Sequence, residues 1–306
     1  MEHTAEEIAA KIDSLGMWDV LCRYNFAIKP LNTPFHYFFS AKCDGAGAAG
    51  KRIMLFEGWR TYHDYVHLMA DRNYGLFTVP LEFPHFELVA SGAGGFMPLR
   101  FDPGYVPRAP EGDAMTLCSK IVWQAYGMAM RMENDEKLPL SYADGRALFS
   151  RVETADGKWE DAPFPIPDEI PQKESIAIAA KLVKAAKDLP IDANLSYEID
   201  FRAIPNLVTN EAKQRYAYRL AVADGTSGDS ILSEFTSVRN SSEVRSAWLD
   251  ISSRMMSLFA RTGRIPSEIK VLSQRMMRIL RPVGMELPIK ISLHDSLLHV
   301  ERLFKL

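Results

Sequence analysis

Residues 197–306 read as three strands followed by helix, strand, helix, strand and helix, and this order limits the folds open to the chain more than any other feature. Residues 197–204, 216–223 and 230–238 are alternating or β-rich runs, the last two joined by Asp224-Gly225-Thr226-Ser227-Gly228-Asp229. Helical periodicity follows from about Ser242 to Ala260. A short strand from Glu268 to Leu272, a helix from Arg275 to Leu280, a strand from Pro288 to Leu293 and a terminal helix complete the series. A local three-strand meander that passes into alternating helices and strands predicts an α/β module with one mixed sheet.

The rest of the chain predicts a second module. Four prolines between Pro163 and Pro171 cannot continue a helix or a central strand, so the segment reads as a stiff connector. It divides the chain into an N-terminal α+β module, residues 1–167, and a C-terminal module, residues 168–306. A helix from Glu174 to Lys187, with Ile178, Leu182, Val183 and Ala186 on one side, opens the second module. The first opens with an amphipathic helix through Trp18, Leu21 and Cys22, interrupted at Gly16. Strands Phe35 to Lys42 and Lys51 to Phe56, a helix from Trp59 to about Arg72, and β-like segments at Leu76 to Val79 and Phe86 to Ala90 follow. Gly92 to Gly112, rich in glycine and proline, reads as an ordered loop or a lid over a small-molecule site. A long helix from Asp113 to about Glu136 and a hairpin of Ala147 to Val152 with Lys158 to Ala162 complete a mixed sheet with helices packed on it.

Composition removes several function classes. Apolar content of 47% and charged content of 25% are those of an ordinary globular chain. No apolar run reaches the roughly 18 residues of a membrane span, and Met1-Glu2-His3-Thr4-Ala5-Glu6-Glu7 lacks a signal-peptide layout, so a cytoplasmic location is expected. Cys22, Cys43 and Cys118 are distant and odd in number, which argues against a disulfide framework or a zinc pair and for small apolar fillers.

Two motifs fail on context. Gly45-Ala46-Gly47-Ala48-Ala49-Gly50 has the letters of a dinucleotide fingerprint, but that fingerprint leads a strand into a helix whose N-terminus meets the pyrophosphate. Here Lys51-Arg52-Ile53-Met54-Leu55-Phe56 reads as a second strand, so the glycines read as a hairpin loop. His63 and His67 have a chelating spacing on a helix, yet no third ligand is indicated, and both lie round from the stripe Trp59, Tyr62, Val66 and Met69.

The C-terminal charges carry the functional question. Asp200 in the first strand, Glu243 or Asp250 on the first helix, and Asp295 after the last strand are placed in a way that resembles the ribonuclease H pattern, which implies acids gathered around magnesium for two-metal phosphodiester hydrolysis. The fourth station, at the end of Ile269-Lys270-Val271-Leu272, is Ser273-Gln274-Arg275, whose arginine would repel a cation. Each acid also has an ordinary reading: Asp200 shares a polar strand face with Glu198 and Arg202, and Asp295 can cap the last helix. Residues 190–306 are net +3 against −6 for the remainder, and Arg254, Arg261, Arg264, Arg275, Arg278 and Arg281 form a basic run. Those arginines could grip phosphates, but the run lacks aromatic interleaving beyond Phe259, and it reads as wet helical faces; nucleic acid is not expected.

A resemblance rests on particular residues: Tyr197, Asp200 and Ile204-Pro205, then Val222, Asp224 and Gly228, then Gly263-Arg264-Ile265-Pro266 with Ile269 and Val271, and Gly284. In these the C-terminal module resembles the last domain of a group of bacterial proteins of unknown function built on a ribonuclease H-like plan. Trp18, Phe56-Glu57-Gly58-Trp59 and Tyr65 look like the N-terminal module that accompanies it. The resemblance implies an architecture and no reaction. The expectation is a two-module binding or scaffold protein, with no cofactor and with an unspecified, possible protein partner. Its competitors are a residual nuclease using Asp200, Glu243 or Asp250, and Asp295 with magnesium, and a small-molecule site under the Gly92 to Gly112 loop.

Overall fold

The computed structural model describes residues 3–43, 51–69, 82–90, 95–135, 138, 147–167, 176–204 and 215–305. The chain forms two compact units. The first comprises residues 1–64, 83–101 and 107–172, and the second residues 65–82, 102–106 and 173–306. Among the described residues, no helix is long and apolar enough to cross a membrane.

The first unit is built on a seven-stranded sheet. Its strands are β1 (Phe26–Lys29), β2 (Tyr37–Cys43), β3 (Lys51–Glu57), β4 (His85–Ala90), β5 (Phe96–Phe101), β6 (Ala147–Glu153) and β7 (Trp159–Pro165), in the order β5-β4-β3-β2-β1-β6-β7. All neighbours are antiparallel except β1 and β6. One face packs on α1 (Ala5–Ser14), α2 (Trp18–Arg23) and α4 (Asp113–Asn134). Helix α1 forms because Thr4 and Glu7 make a reciprocal capping box and Ala5, Ile8, Ala9 and Ile12 recur at helical spacing to bury one stripe. Gly16, at φ 68°, supplies the left-handed turn before α2. Cys118 on α4 is buried, and burial pushes its thiol up to about 12, as suits an inert filler.

Several expectations change here. The Gly92 to Gly112 loop contains β5, paired with β4 from His85↔Phe101 to Ala90↔Phe96, so little is left to act as a lid; residues 91–94 lie outside the described residues. The proline segment begins as strand. β7 tolerates Pro163 and Pro165 because it is an edge, where a missing N–H costs no ladder bond. Residues 168–171 of that segment, the glycine loop 44–50, the Leu76 to Val79 segment and Pro205 also lie outside the described residues. The four-residue β1, apolar throughout its buried part, is too short to give a period and was not expected. Helix α3 (Trp59–Met69) buries Tyr62, as predicted, but buries Tyr65 in place of Val66, which is exposed.

The second unit carries the sheet β10-β9-β8-β11-β12, with β8 (Ile191–Ile204) central, β9 (Ala217–Asp224) and β10 (Ser230–Ser237) antiparallel beside it, and β11 (Ile265–Val271) and β12 (Lys290–Leu293) parallel. Helices α6 (Ser241–Leu249) and α7 (Ile251–Thr262) occupy the place of the single predicted helix, with a one-residue break at Asp250 that nothing in the local sequence marks. Helix α5 (Ala180–Lys187) starts six residues after the predicted Glu174, and α8 (Gln274–Glu286) runs past the predicted stop at Leu280. Pro282 is tolerated inside α8 because the carbonyl it cannot satisfy, that of Arg278, sits on an exposed residue. Helix α9 (Leu298–Phe304) closes the chain. The two glycines of the hairpin turn serve different ends. Gly228 takes φ 80°, whereas Gly225 is needed for close approach, since a Cβ there would lie 2.4 Å from Ser196 Oγ.

In the first unit, Arg131 of α4 and Arg151 of β6 both donate to Asp161 of β7, the Arg131 Nη1 to Asp161 Oδ1 distance being 2.8 Å. Hydrogen bonds from Arg131 and then Arg151, working against burial, hold the Asp161 carboxyl below its ordinary range. A lowered carboxyl contributes stability above its unfolded pKa of about 3.9 and loses it as pH falls through the folded value. Asp161→Asn is therefore expected to cost about 1 kcal/mol at pH 7, the figure for a partly exposed pair. The difference from wild type should shrink as pH falls through the lowered Asp161 pKa in urea titrations followed by circular dichroism; a difference that stays constant across that fall counts against the ion pair as its source.

Candidate functional site

The two faces of β8 are chemically opposite. Tyr197, Ile199 and Phe201 point to α6 and α7, with the Tyr197 ring 6.4 Å from Phe259 and the Phe201 ring 4.9 Å edge-on from Trp248. Glu198, Asp200 and Arg202 point to the other face, which α9 covers. Strand alternation makes this separation unavoidable.

Each acid on the α9 face is engaged. Glu198 Oε2 accepts the N–H groups of His299 at 2.8 Å and Val300 at 2.9 Å, and so meets the unpaired first turn of α9. Asp295 does not cap this helix; it is exposed in the bend before it, and the cap comes from across the sheet. Asp200 is buried, contrary to its reading as part of a solvated face. Its Oδ1 accepts the Phe201 N–H at 2.8 Å, its Oδ2 accepts from Arg202 Nε, and Arg202 also donates to Glu301 of α9. Burial raises the Asp200 pKa, with Arg202 opposing. Arg202 itself lies 4.8 Å from the centre of the Phe304 ring.

The other sequence-predicted acids lie elsewhere. Glu243 sits in the first turn of α6, where it accepts the Arg239 N–H at 2.8 Å and its own N–H bonds Asn240 Oδ1 at 2.9 Å. Asp250, between α6 and α7, accepts from Arg254 Nε at 2.8 Å. Both belong to the helices on the face opposite Asp200, so the structure brings Glu243 and Asp250 to one groove and leaves Asp200 and Asp295 apart from them. Among the described residues, no three His, Cys, Asp or Glu side chains are placed to hold a metal ion.

At the end of β11, Ser273 caps α8 through the Met276 N–H, and Arg275 turns inward. Its guanidinium carbon lies 3.9 Å from the centre of the Trp248 ring, and its Nη1 lies 2.7 Å from Glu82 Oε2. Glu82 Oε1 accepts the indole N–H of Trp248 at 3.0 Å. Tyr218 is fully buried beside this pair; among the described residues its hydroxyl has no hydrogen-bond partner, and burial drives its pKa well above the ordinary tyrosine value. Sequence reasoning missed Glu82. The available signal was a lone acid in Val79-Pro80-Leu81-Glu82-Phe83-Pro84, an apolar run in which a carboxylate has no reason to sit unless it is paired.

The basic run disperses. Arg254 reaches Asp250, Glu234 and Thr236, and Arg275 is enclosed, so the expectation of wet arginines fails for these two; it holds for Arg261, Arg278 and Arg281, and for Arg264, which is exposed while pairing with Asp192 at 3.2 Å. The groove that contains Glu243, Asp250 and Arg254 has a volume of about 590 Å³. Ile176, Val238 and Ala247 supply apolar walls, and Thr236, Ser246 and Ser253 supply hydroxyls.

The sequence profile of a family described as a domain of unknown function (DUF6930) matches residues 182–305, from within α5 to the end of α9. No curated protein and no solved structure matches the chain.

Removing one partner of a buried ion pair strands the other, at about 3–5 kcal/mol. Glu82→Ala should therefore destabilise the second unit by that amount in guanidinium titrations read by Trp248 fluorescence. The double variant Glu82→Leu with Arg275→Met should recover most of the loss. A single-variant cost below about 1 kcal/mol would show that the pair is not a structural clasp.

Proposed function

We propose that the second unit is a non-catalytic binding module on a ribonuclease H-like plan, and that its open groove is the binding site. The single observation carrying this reading is that the acids a two-metal hydrolase would aim at one point stand apart on opposite faces of the sheet. Asp200 neutralises Arg202 on the α9 face, Glu243 and Asp250 bond the Arg239 N–H and Arg254 on the other, and Asp295 is exposed in the bend before α9. The central position of β8, the antiparallel meander on one side and the parallel β11 and β12 on the other support the ribonuclease H-like part of the reading. The groove supports the binding part because its polar lining combines two carboxylates, one arginine already shared by Asp250, and several hydroxyls around an apolar floor. That set suits a neutral or cationic polar ligand better than a phosphate, since the carboxylates outnumber the arginine.

The test is a cleavage assay on single-stranded and double-stranded DNA and RNA with magnesium and with manganese. No cleavage above background is expected from wild type or Asp200→Asn, and neither metal should raise the melting temperature. Metal-dependent cleavage by wild type that disappears in a folded Asp200→Asn variant would establish the nuclease instead.

A further inference from the structure

An edge strand offers a row of unpaired N–H and C=O groups, and folded chains blunt such edges with proline, exposed charge, brevity or a covering segment. Three of the edges of the two sheets are blunted in this way. β5 carries Pro98 and is bridged by Arg108, with Arg100 N–H donating to Arg108 O at 2.7 Å and Arg108 N–H to Arg100 O at 3.2 Å. β7 carries Pro163 and Pro165, and β12 is four residues long and opens on the exposed Lys290. β10 has eight residues and neither proline nor lysine. Its single charged side chain, Glu234, turns to Arg254, and its bulge is confined to Ser230/Leu232, which leaves Ser233 to Ser237 regular. Among the described residues, no hydrogen bond reaches its outer side.

The register tells which groups face outward. Asp224 N–H donates to Asp229 O at 2.9 Å, so even-numbered residues of β9 bond toward β10, and their partners Leu232, Glu234 and Thr236 use their backbone groups inward. The N–H and C=O of Ser233, Phe235 and Ser237 therefore point out of the sheet.

We propose that this edge pairs with the same strand of a second copy of the chain, antiparallel, about a two-fold axis through Phe235. Every position of β10 is compatible with itself under that symmetry. Phe235, 59% exposed, meets Phe235 of the second copy, Ser233 meets Ser237, and Glu234 meets Thr236, so no like charges oppose one another, while Leu232 stays in the core of its own copy. The row across the α9 face also continues. Arg202 registers opposite Arg219, Arg219 opposite Phe235, and the Arg219 guanidinium lies 5.3 Å from the Phe235 ring centre, so the two-fold axis joins two such cation–aromatic rows through their aromatic ends. The contact is isologous and closes at two copies. It does not depend on the ligand proposed for the groove.

Sedimentation equilibrium on the full chain tests it, with a dimer expected for wild type. Phe235→Lys sets two ammonium groups against each other at the axis and should give monomer, and Ser237→Pro removes an outward N–H and should raise the dissociation constant at least about tenfold. Directly opposed residues of a hydrogen-bonded antiparallel pair have Cα atoms about 5.5 Å apart, within disulfide range. Phe235→Cys should therefore form a covalent dimer on mild oxidation, and Ser230→Cys, off the axis, should not. A wild-type monomer at the highest soluble concentration whose Phe235→Cys variant does not cross-link overturns the proposal. So does a dimer that survives Phe235→Lys unchanged, or an assembly larger than two.

Discussion

Glu198, Asp200 and Arg202 stand on one face of a strand that is covered on both sides, and the second unit depends on how those charges are met. A buried carboxylate without a partner costs several kcal/mol, so a strand of this sequence is stable only if another element arrives to pair with it. That element is α9. Its first N–H groups take Glu198, its Glu301 takes the second half of Arg202, and its Phe304 lies over the same guanidinium. The apolar side of α9, Val300 and Leu303, then packs on Ala221 and Ala223 of β9, whose small side chains let the helix come close. The seven-residue helix has little intrinsic stability at that length, so its place is fixed by the acid on β8 rather than by propensity.

The opposite face is organised by a different charge. Trp248 is held edge-on by Phe201, face-on by Arg275 and at its nitrogen by Glu82, so a single indole joins β8, α6, α8 and a residue from the N-terminal half of the sequence. Gly104 contributes in the same way by space: a Cβ there would lie 2.5 Å from the Val238 carbonyl oxygen, and the glycine's own carbonyl accepts the Tyr216 N–H at 2.9 Å. Residues 65–82 and 102–106 thus belong to the second compact unit although they lie far from it in sequence. A reading that places module boundaries at proline-rich segments sees composition along the chain, and composition carries no record of such returns.

Much of the second sheet was legible because its signals are local. The period-2 runs of β9 and β10, the turn between them, and the body of α8 from Arg275 to Leu280 are each decided by neighbouring residues. What was not legible depends on distant partners. The first six residues of β8 alternate poorly and become strand through pairing with β11 from Ile191↔Ile265 onward. β5 looked like a loop because Pro98 and the flanking glycines are breakers in isolation, yet an edge position accommodates the proline. Asp200 illustrates the same limit at the level of a side chain. Its alternation with Glu198 and Arg202 correctly gave one polar face, but solvent and a charged helix satisfy such a face equally well, and only the second buries it.

The net positive charge of residues 190–306 has a comparable explanation. An electrostatic footprint for nucleic acid needs several free cations on one surface, because the gain comes from counterions released together. Here Arg275 is buried against Glu82 and Trp248, Arg254 is shared by Asp250 and Glu234, Arg264 binds Asp192, and Arg202 and Arg219 lie over Phe304. These cations serve as counter-charges and aromatic covers for the elements around them. The exposed remainder of the basic run, Arg261 on α7 and Arg278 and Arg281 on α8, is spread over two helices. A guanidinium already bonded to a carboxylate must give up that partner before it can take a phosphate, and for Arg275 or Arg202 the exchange would leave a buried acid behind. The charge that sets this half of the chain apart in sequence is therefore largely committed once the chain has folded.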